Sequence, residues 1–200
     1  MALKFQYNKT SLQDLNKQLR VRLRALPTLK NKESALRVEV KRAKDEATKL
    51  DEKLAAQIAA YDEMVSLWSE FKPNLISIKD VDVSIKKIAG VRTPVLEQIH
   101  FSIPPFSLFN EPFWFMDGIA ILKDLATVAI EREFFNRKMD MLDHARKKTT
   151  QKVNLYEKVQ IPGYEEAILK IKRFLEDEEN LSKSSQKIVK TRLEQMEAEA

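Results

Sequence analysis

Cysteine is absent from this 200-residue chain and glycine occurs only three times. Without cysteine there is no disulfide, no thiolate zinc site, no iron–sulfur cluster and no cysteine nucleophile. The three glycines, Gly90, Gly118 and Gly163, lie too far apart for a phosphate-cradling loop, which needs several within one turn. Their scarcity also disfavours an all-β fold built on tight turns. The two histidines, His100 and His144, stand alone, with neither HExxH spacing nor a triad pattern, and are expected on the surface. No run approaches the roughly 20 apolar residues of a membrane span. The first ten residues lack an apolar segment, so no signal peptide is expected. No catalysis, no cofactor and no metal site are expected within this chain.

What is abundant is charge, at 32% of residues. It is unevenly placed. Residues 1–50 carry 13 basic against 5 acidic side chains, residues 51–130 carry 7 against 11, and residues 131–200 carry 15 against 14. The basic excess is densest from Arg20 to Lys44. A nucleic-acid surface would interleave aromatic residues with this run, and none occur there. A solvated helix face, or one turned to an acidic protein partner, fits better. The acidic run Glu176-Asp177-Glu178-Glu179 reads as a solvated helix face, because helical geometry splays its side chains.

A heptad pattern occupies the first third of the chain. One seam is Leu12, Leu19, Leu26, Glu33, Val40, Ala47, Leu54, Tyr61 and Trp68; the other is Leu15, Arg22, Leu29, Leu36, Ala43, Leu50, Gln57, Met64 and Phe71. Fifteen of these eighteen positions are apolar or aromatic, which predicts a long coiled-coil helix. Ser11 with Asp14 reads as a capping box at its start. Pro73 ends it. Arg22 and Glu33 break the seam, either to set register or to touch a partner or, the favoured reading, while snorkelling to solvent.

The next 45 residues follow a different pattern. Val81, Val83 and Ile85 alternate with polar residues. After Gly90-Val91-Arg92-Thr93-Pro94, alternation resumes at Val95, Ile99, Phe101 and Ile103. This predicts two short strands around a Gly/Pro turn. Half of the ten phenylalanines then fall between Phe101 and Phe115, among three prolines that forbid a long helix. These aromatics either cap the coiled coil or form an exposed apolar knob. From Asp117 or Gly118 a second helical stripe runs through Ile121, Leu125, Val128, Phe135, Met139, Leu142, Val153 and Tyr156. Pro162-Gly163 is expected to interrupt it.

The expected fold is mainly α: a long antiparallel two-helix coiled-coil hairpin with a small head containing a short β-hairpin. The arms are 10–72 and 118–200, the head 73–117. Facing Phe71 with Gly118 places Thr10 near Glu179, leaves residues beyond about 180 as an overhang, and brings Pro27 near Pro162 as a kink or compliant joint.

Four segments carry a family resemblance. Lys152-Val153-Asn154-Leu155-Tyr156-Glu157, followed by Ile161-Pro162, resembles a C-terminal signature of the D subunit of V-type and A-type rotary ATPases. Leu29-Lys30-Asn31-Lys32-Glu33-Ser34-Ala35-Leu36, Ile88-Ala89-Gly90-Val91-Arg92-Thr93-Pro94 and Ile168-Leu169-Lys170-Ile171 are similar to other motifs of that family, in the family's order. The resemblance implies a non-catalytic central rotor axle, cytoplasmic and peripheral to the membrane as part of a membrane-bound complex. It implies as partners the A and B subunits of the nucleotide-binding ring, the F subunit and a membrane-side coupling subunit, with no nucleic acid. On this reading Arg20, Arg24, Lys30, Lys32 and Arg37 are candidate ring contacts. Ile161 and Pro162 mark the signature. The middle of the rod, 40–61 with 134–142, is the candidate seat of the F subunit. Phe106, Phe109 and Trp114 are candidates for the coupling subunit. A coiled-coil scaffold unrelated to ATPases is the alternative, and a basic nucleic-acid-binding protein a weaker one.

Overall fold

The structure is a computed structural model that describes residues 4–107, 109 and 111–199. Helix α1 spans Lys9–Ala60, a 3₁₀ turn covers Asp62–Met64, and the short helix α2 covers Val65–Trp68. A second 3₁₀ turn, Pro73–Leu75, leads into strands β1, Ser77–Ile88, and β2, Val91–Ser102. Helix α3, Phe115–Leu155, passes through a π-helical turn, Tyr156–Gln160, into helix α4, Ile161–Glu199. The expected fold class, two long helical segments with a small antiparallel hairpin between them, is what the chain adopts.

The chain divides into two compact units. One combines Met1–Asn31 with Thr149–Ala200; the other is Lys32–Lys148. In the first unit, α1 and α4 pack antiparallel around Leu15, Tyr164, Ala167, Ile168 and Ile171, with Leu12, Leu19 and Leu175 beside them. Lys9 and Leu12 of α1 line one groove with Leu175 and Glu179 of α4, so the expected facing of Thr10 and Glu179 holds. All described side chains of α4 from Glu176 to Met196 are exposed, which is the expected overhang.

In the second unit, Leu36, Ala43, Ala47, Val128 and Leu142 are buried. A separate cluster gathers Leu75, Phe115 and Ile119 with Phe71, Ile76, Phe106 and Trp114. Phe71 does face Gly118: a Cβ there would stand 3.0 Å from the Phe71 ring and 2.9 Å from Trp114. Only glycine fits between these rings.

Several boundaries differ from expectation. The helix starts at Lys9 because Asn8, not Ser11, caps it; Asn8 Oδ1 accepts the Ser11 N–H at 2.7 Å. Continuous α1 ends at Ala60, well before Pro73. There the seam changes from the small Ala43 and Ala47 to Tyr61, Trp68 and Phe71, which need more room. Past tight i→i+3 bonds, Tyr61 N–H to Ile58 O and Met64 N–H to Tyr61 O, both 3.0 Å, Trp68 meets Trp114 and Phe71 meets Phe115. Each strand has twelve residues, so neither is short. The turn is the two-residue Ala89-Gly90, with φ of 48° and 81°, the signature of a tight hairpin turn matched to strand twist. Thr93 and Pro94 therefore lie in β2, paired with Lys86 and Ile85. Pro162-Gly163 lies inside the first turn of α4, which continues through it; the irregularity lies just before it, in the π turn. Opposite it, α1 runs unbroken through Pro27, so only one arm of the expected joint is distorted.

Candidate functional site

The basic run lies on the exposed side of α1. Arg20, Arg24, Lys30, Lys32 and Arg37 are all exposed, because the heptad assigns the seam to Leu19, Leu26, Leu29 and Leu36. They are not equivalent. Among the described residues neither Arg20 nor Arg24 has an ion-pair partner. Lys30 pairs with Glu157 at 2.7 Å, and Arg37 with Glu33 of its own helix at 2.9 Å. Lys32 Nζ comes within 3.5 Å of where a Gly90 Cβ would stand, beside the hairpin turn. Exposed pairs of this kind are each worth about 0–1 kcal/mol, so these cations remain available to an acidic partner.

Arg22 departs from expectation. It does not snorkel away. Its guanidinium stays half-buried, 4.5 Å from the Tyr164 ring centroid and 5.9 Å from that of Tyr156. Its Nε donates to Gln160 Oε1 at 2.7 Å, and Nη1 donates to the Gln18 carbonyl and Oε1. A planar cation can stack on rings while its edge donates hydrogen bonds. Glu33, the other seam break, is mostly covered and held by Arg37.

The segment Lys152–Pro162 spans the end of α3, the whole π turn and the first residues of α4. Ile161 is buried in the chain's own core, whereas Pro162 is exposed. Pro162 has no N–H to give to the carbonyl four residues back, and the Ile161 N–H bonds instead to Tyr156 O, five residues back.

The aromatic loop divides between both expected roles. Phe106 is half-buried against the Leu75–Phe115–Ile119 cluster, and Trp114 stacks edge-on with Trp68 and Phe115. Phe109 and Phe113 are 98% and 89% exposed. A 250 Å³ groove between β2 and α3 is lined by Pro94, Leu96, Phe134 and Phe135, with Glu131 and Lys138 at its edge. Its α3 side falls in the expected 134–142 segment. Its β2 side figured among none of the expected contacts, because the length of the strands sets which residues reach α3.

Among the described residues no group of three or more histidine, aspartate or glutamate side chains could hold a metal ion. His100 pairs with Asp82 at 2.7 Å on an exposed strand face. No helix of the described residues is long and apolar enough to cross a membrane.

The sequence profile for the D subunit of ATP synthase matches residues 11–191. The chain belongs to the ATP synthase D-subunit family. The match takes in α1, the hairpin, the π turn and most of the exposed end of α4. Among relatives of this D-type chain, the V-type ATP synthase D subunit of Borreliella burgdorferi is 30% identical over 199 residues, covering 95% of each chain. Its counterpart in Chlamydia trachomatis is 28% identical over 175 residues, covering 85% of this chain and 86% of the relative. That of Chlamydia pneumoniae is 28% identical over 200 residues, covering 97% and 95%.

Proposed function

We propose that this D-type chain is the central-stalk axle of a V/A-type rotary ATPase, transmitting torque between the nucleotide-binding A/B ring and the membrane ion-translocating ring. The observation that carries this reading is the antiparallel packing of α1 and α4, with Arg20, Arg24 and Lys30 exposed on the outside of α1. Such a helix pair has no three-fold symmetry. Inside a three-fold ring it presents a different face to each of three otherwise equal sites and holds them in different states. Nucleotide chemistry then belongs to the ring, and this chain contributes shape and charge.

The charged surface suits a part that must turn. Contacts worth about 0–1 kcal/mol each are made and broken without trapping one angle. Arg20, Arg24, Lys30, Lys32 and Arg37 would face acidic loops of the ring, with 10–29 and 174–200 together as the bearing. The F subunit would sit alongside 40–61 and 134–142, near the groove lined by Phe134 and Phe135. Phe109 and Phe113 would enter the membrane-side coupling subunit, with Phe106 and Trp114 bracing the loop. The complex would lie on the cytoplasmic face of the membrane.

Reconstitution tests this. Mixed with separately purified A and B subunits, the chain should co-elute in substoichiometric amount to either, and added F subunit should join it. Lys30→Gln, Lys32→Gln and Arg37→Gln together should leave the melting temperature nearly unchanged and uncouple ATP hydrolysis from ion pumping. Failure to bind the ring, or full coupling in the triple variant, would count against the axle and its charge contacts respectively.

A further inference from the structure

The π turn records a mismatch in sequence spacing. On α1 the seam residues Leu15, Arg22 and Leu29 follow at strict seven-residue intervals, and none is exposed. On the partner segment, buried Thr149 and buried Ile171 lie twenty-two residues apart, which is three heptads plus one. In a supercoiled heptad pair each residue turns by about 103°, so seven residues close two turns. The extra residue would therefore rotate everything beyond it by that amount and carry Tyr164, Ala167 and Ile171 off the seam. A π turn absorbs one residue without changing the phase on either side. Its effect is visible in the tyrosines: Tyr156 and Tyr164 are eight apart, yet both rings lie within 6 Å of Arg22.

Spacing alone does not say where between Thr149 and Ile171 the extra residue must sit. Two features choose the place. Pro162 has already removed one α-type bond, so the wider turn forfeits least here. Across the seam, α1 grips this turn with Arg22 on Tyr156, Gln160 and Tyr164, and with Lys30 on Glu157. Gln18 in turn braces Arg22 through its carbonyl and its side-chain oxygen. An aliphatic residue at position 22 would satisfy the heptad better. An arginine there is explained by what it holds.

We propose that Arg22, with Tyr156, Gln160 and Tyr164, is a register lock: it pins the inserted residue at 156–160 and thereby fixes the rotational phase of α4 on α1. Released, the extra residue can migrate along the helix, and each residue it passes turns by about 100°. The lock is a property of the folded chain alone and does not rest on the rotor assignment.

The test uses the isolated full-length chain. Deleting Lys158 restores heptad spacing and removes the need for the π turn. This variant should melt at or above the wild-type temperature. Deleting Thr28, an equally exposed residue in the unbroken heptads of α1, should lower it by many degrees. Arg22→Leu and the milder Arg22→Lys should speed backbone amide exchange over 156–161 by at least about tenfold, a local opening rather than global unfolding. In the Lys158-deleted background the same substitutions should leave exchange there unchanged. Should Arg22→Leu fold poorly, Arg22→Lys carries the comparison, since it keeps the charge and loses the planar fork. A Lys158 deletion as damaging as the Thr28 deletion would overturn the inserted-residue account. Unchanged exchange at 156–161 in the Arg22 variants would overturn the lock.

Discussion

Ala89 bears a φ of 48° beside Gly90 at 81°. Glycine adopts that region freely, whereas alanine brings its Cβ too close to the carbonyl. Asparagine tolerates it, and Asn-Gly is the favoured pair for this turn. Ala89→Asn should therefore raise stability by about 0.5–1 kcal/mol, read as a higher urea midpoint with an unchanged slope. Asp143 offers a second residue-level test. Hydrogen bonds from Lys147 and then Arg146 hold its carboxyl pKa below the ordinary value. Lys170 does the same for Glu166, and Lys183 for Glu179. A carboxylate with a lowered folded pKa binds fewer protons folded than unfolded in the acid range. Its contribution is complete above the ordinary value of about 4 and is lost as pH falls towards the folded value. The melting temperature should be flat through neutrality and drop below about pH 4, with a shallower acid limb in Asp143→Asn. Added salt should shrink the difference, because the Asp143 carboxylate is only partly covered.

At the scale of the element, α1 contains its own fault. Pro27 lies in the helix interior, where a proline costs about 3 kcal/mol relative to alanine. Pro27→Ala should stabilise the chain by about 1–3 kcal/mol; a loss of stability in chemical unfolding would show that the helix is built around the proline. Much at this scale was legible in the sequence. Fourteen of the eighteen seam positions fall within α1, and the facing of Phe71 with Gly118 and of Thr10 with Glu179 followed from folding two arms about the aromatic head. The rest was hidden for physical reasons. The end of α1 at Ala60 has neither glycine nor proline to mark it; it is set by rings on a distant segment. Asn8 and Ser11 can both cap, and the backbone decides between them. The strands run longer than expected because bulges between Ile78 and Asp80 and between Asp82 and Val83 break the alternation that reveals a strand. The π turn was written in the interval from Thr149 to Ile171, but reading it requires knowing that both are buried.

For the molecule as a whole, the informative region is the one that buries nothing. The described side chains from Asn180 to Met196 are all exposed, Leu181, Ile188, Leu193 and Met196 among them. Removing residues 180–200 should change the unfolding free energy by less than about 0.5 kcal/mol, while the truncated chain loses its hold on the A/B ring in the reconstitution. A large stability loss would instead mean that this helix end belongs to the fold.

The twelve-residue ribbon has a further consequence, for the behaviour of the chain before it finds partners. A sheet of two strands is all edge: each strand leaves one row of N–H and C=O groups without a neighbouring strand, and such rows recruit strands from other molecules. Here β1 carries Lys79, Lys86 and Lys87, β2 carries Pro94, and the two bulges twist the ribbon between them. These are the devices that keep open edges from joining. Exchanging Lys86 and Lys87 for threonine would preserve strand propensity and remove the repulsion, turning a hairpin into a seed for intermolecular sheet.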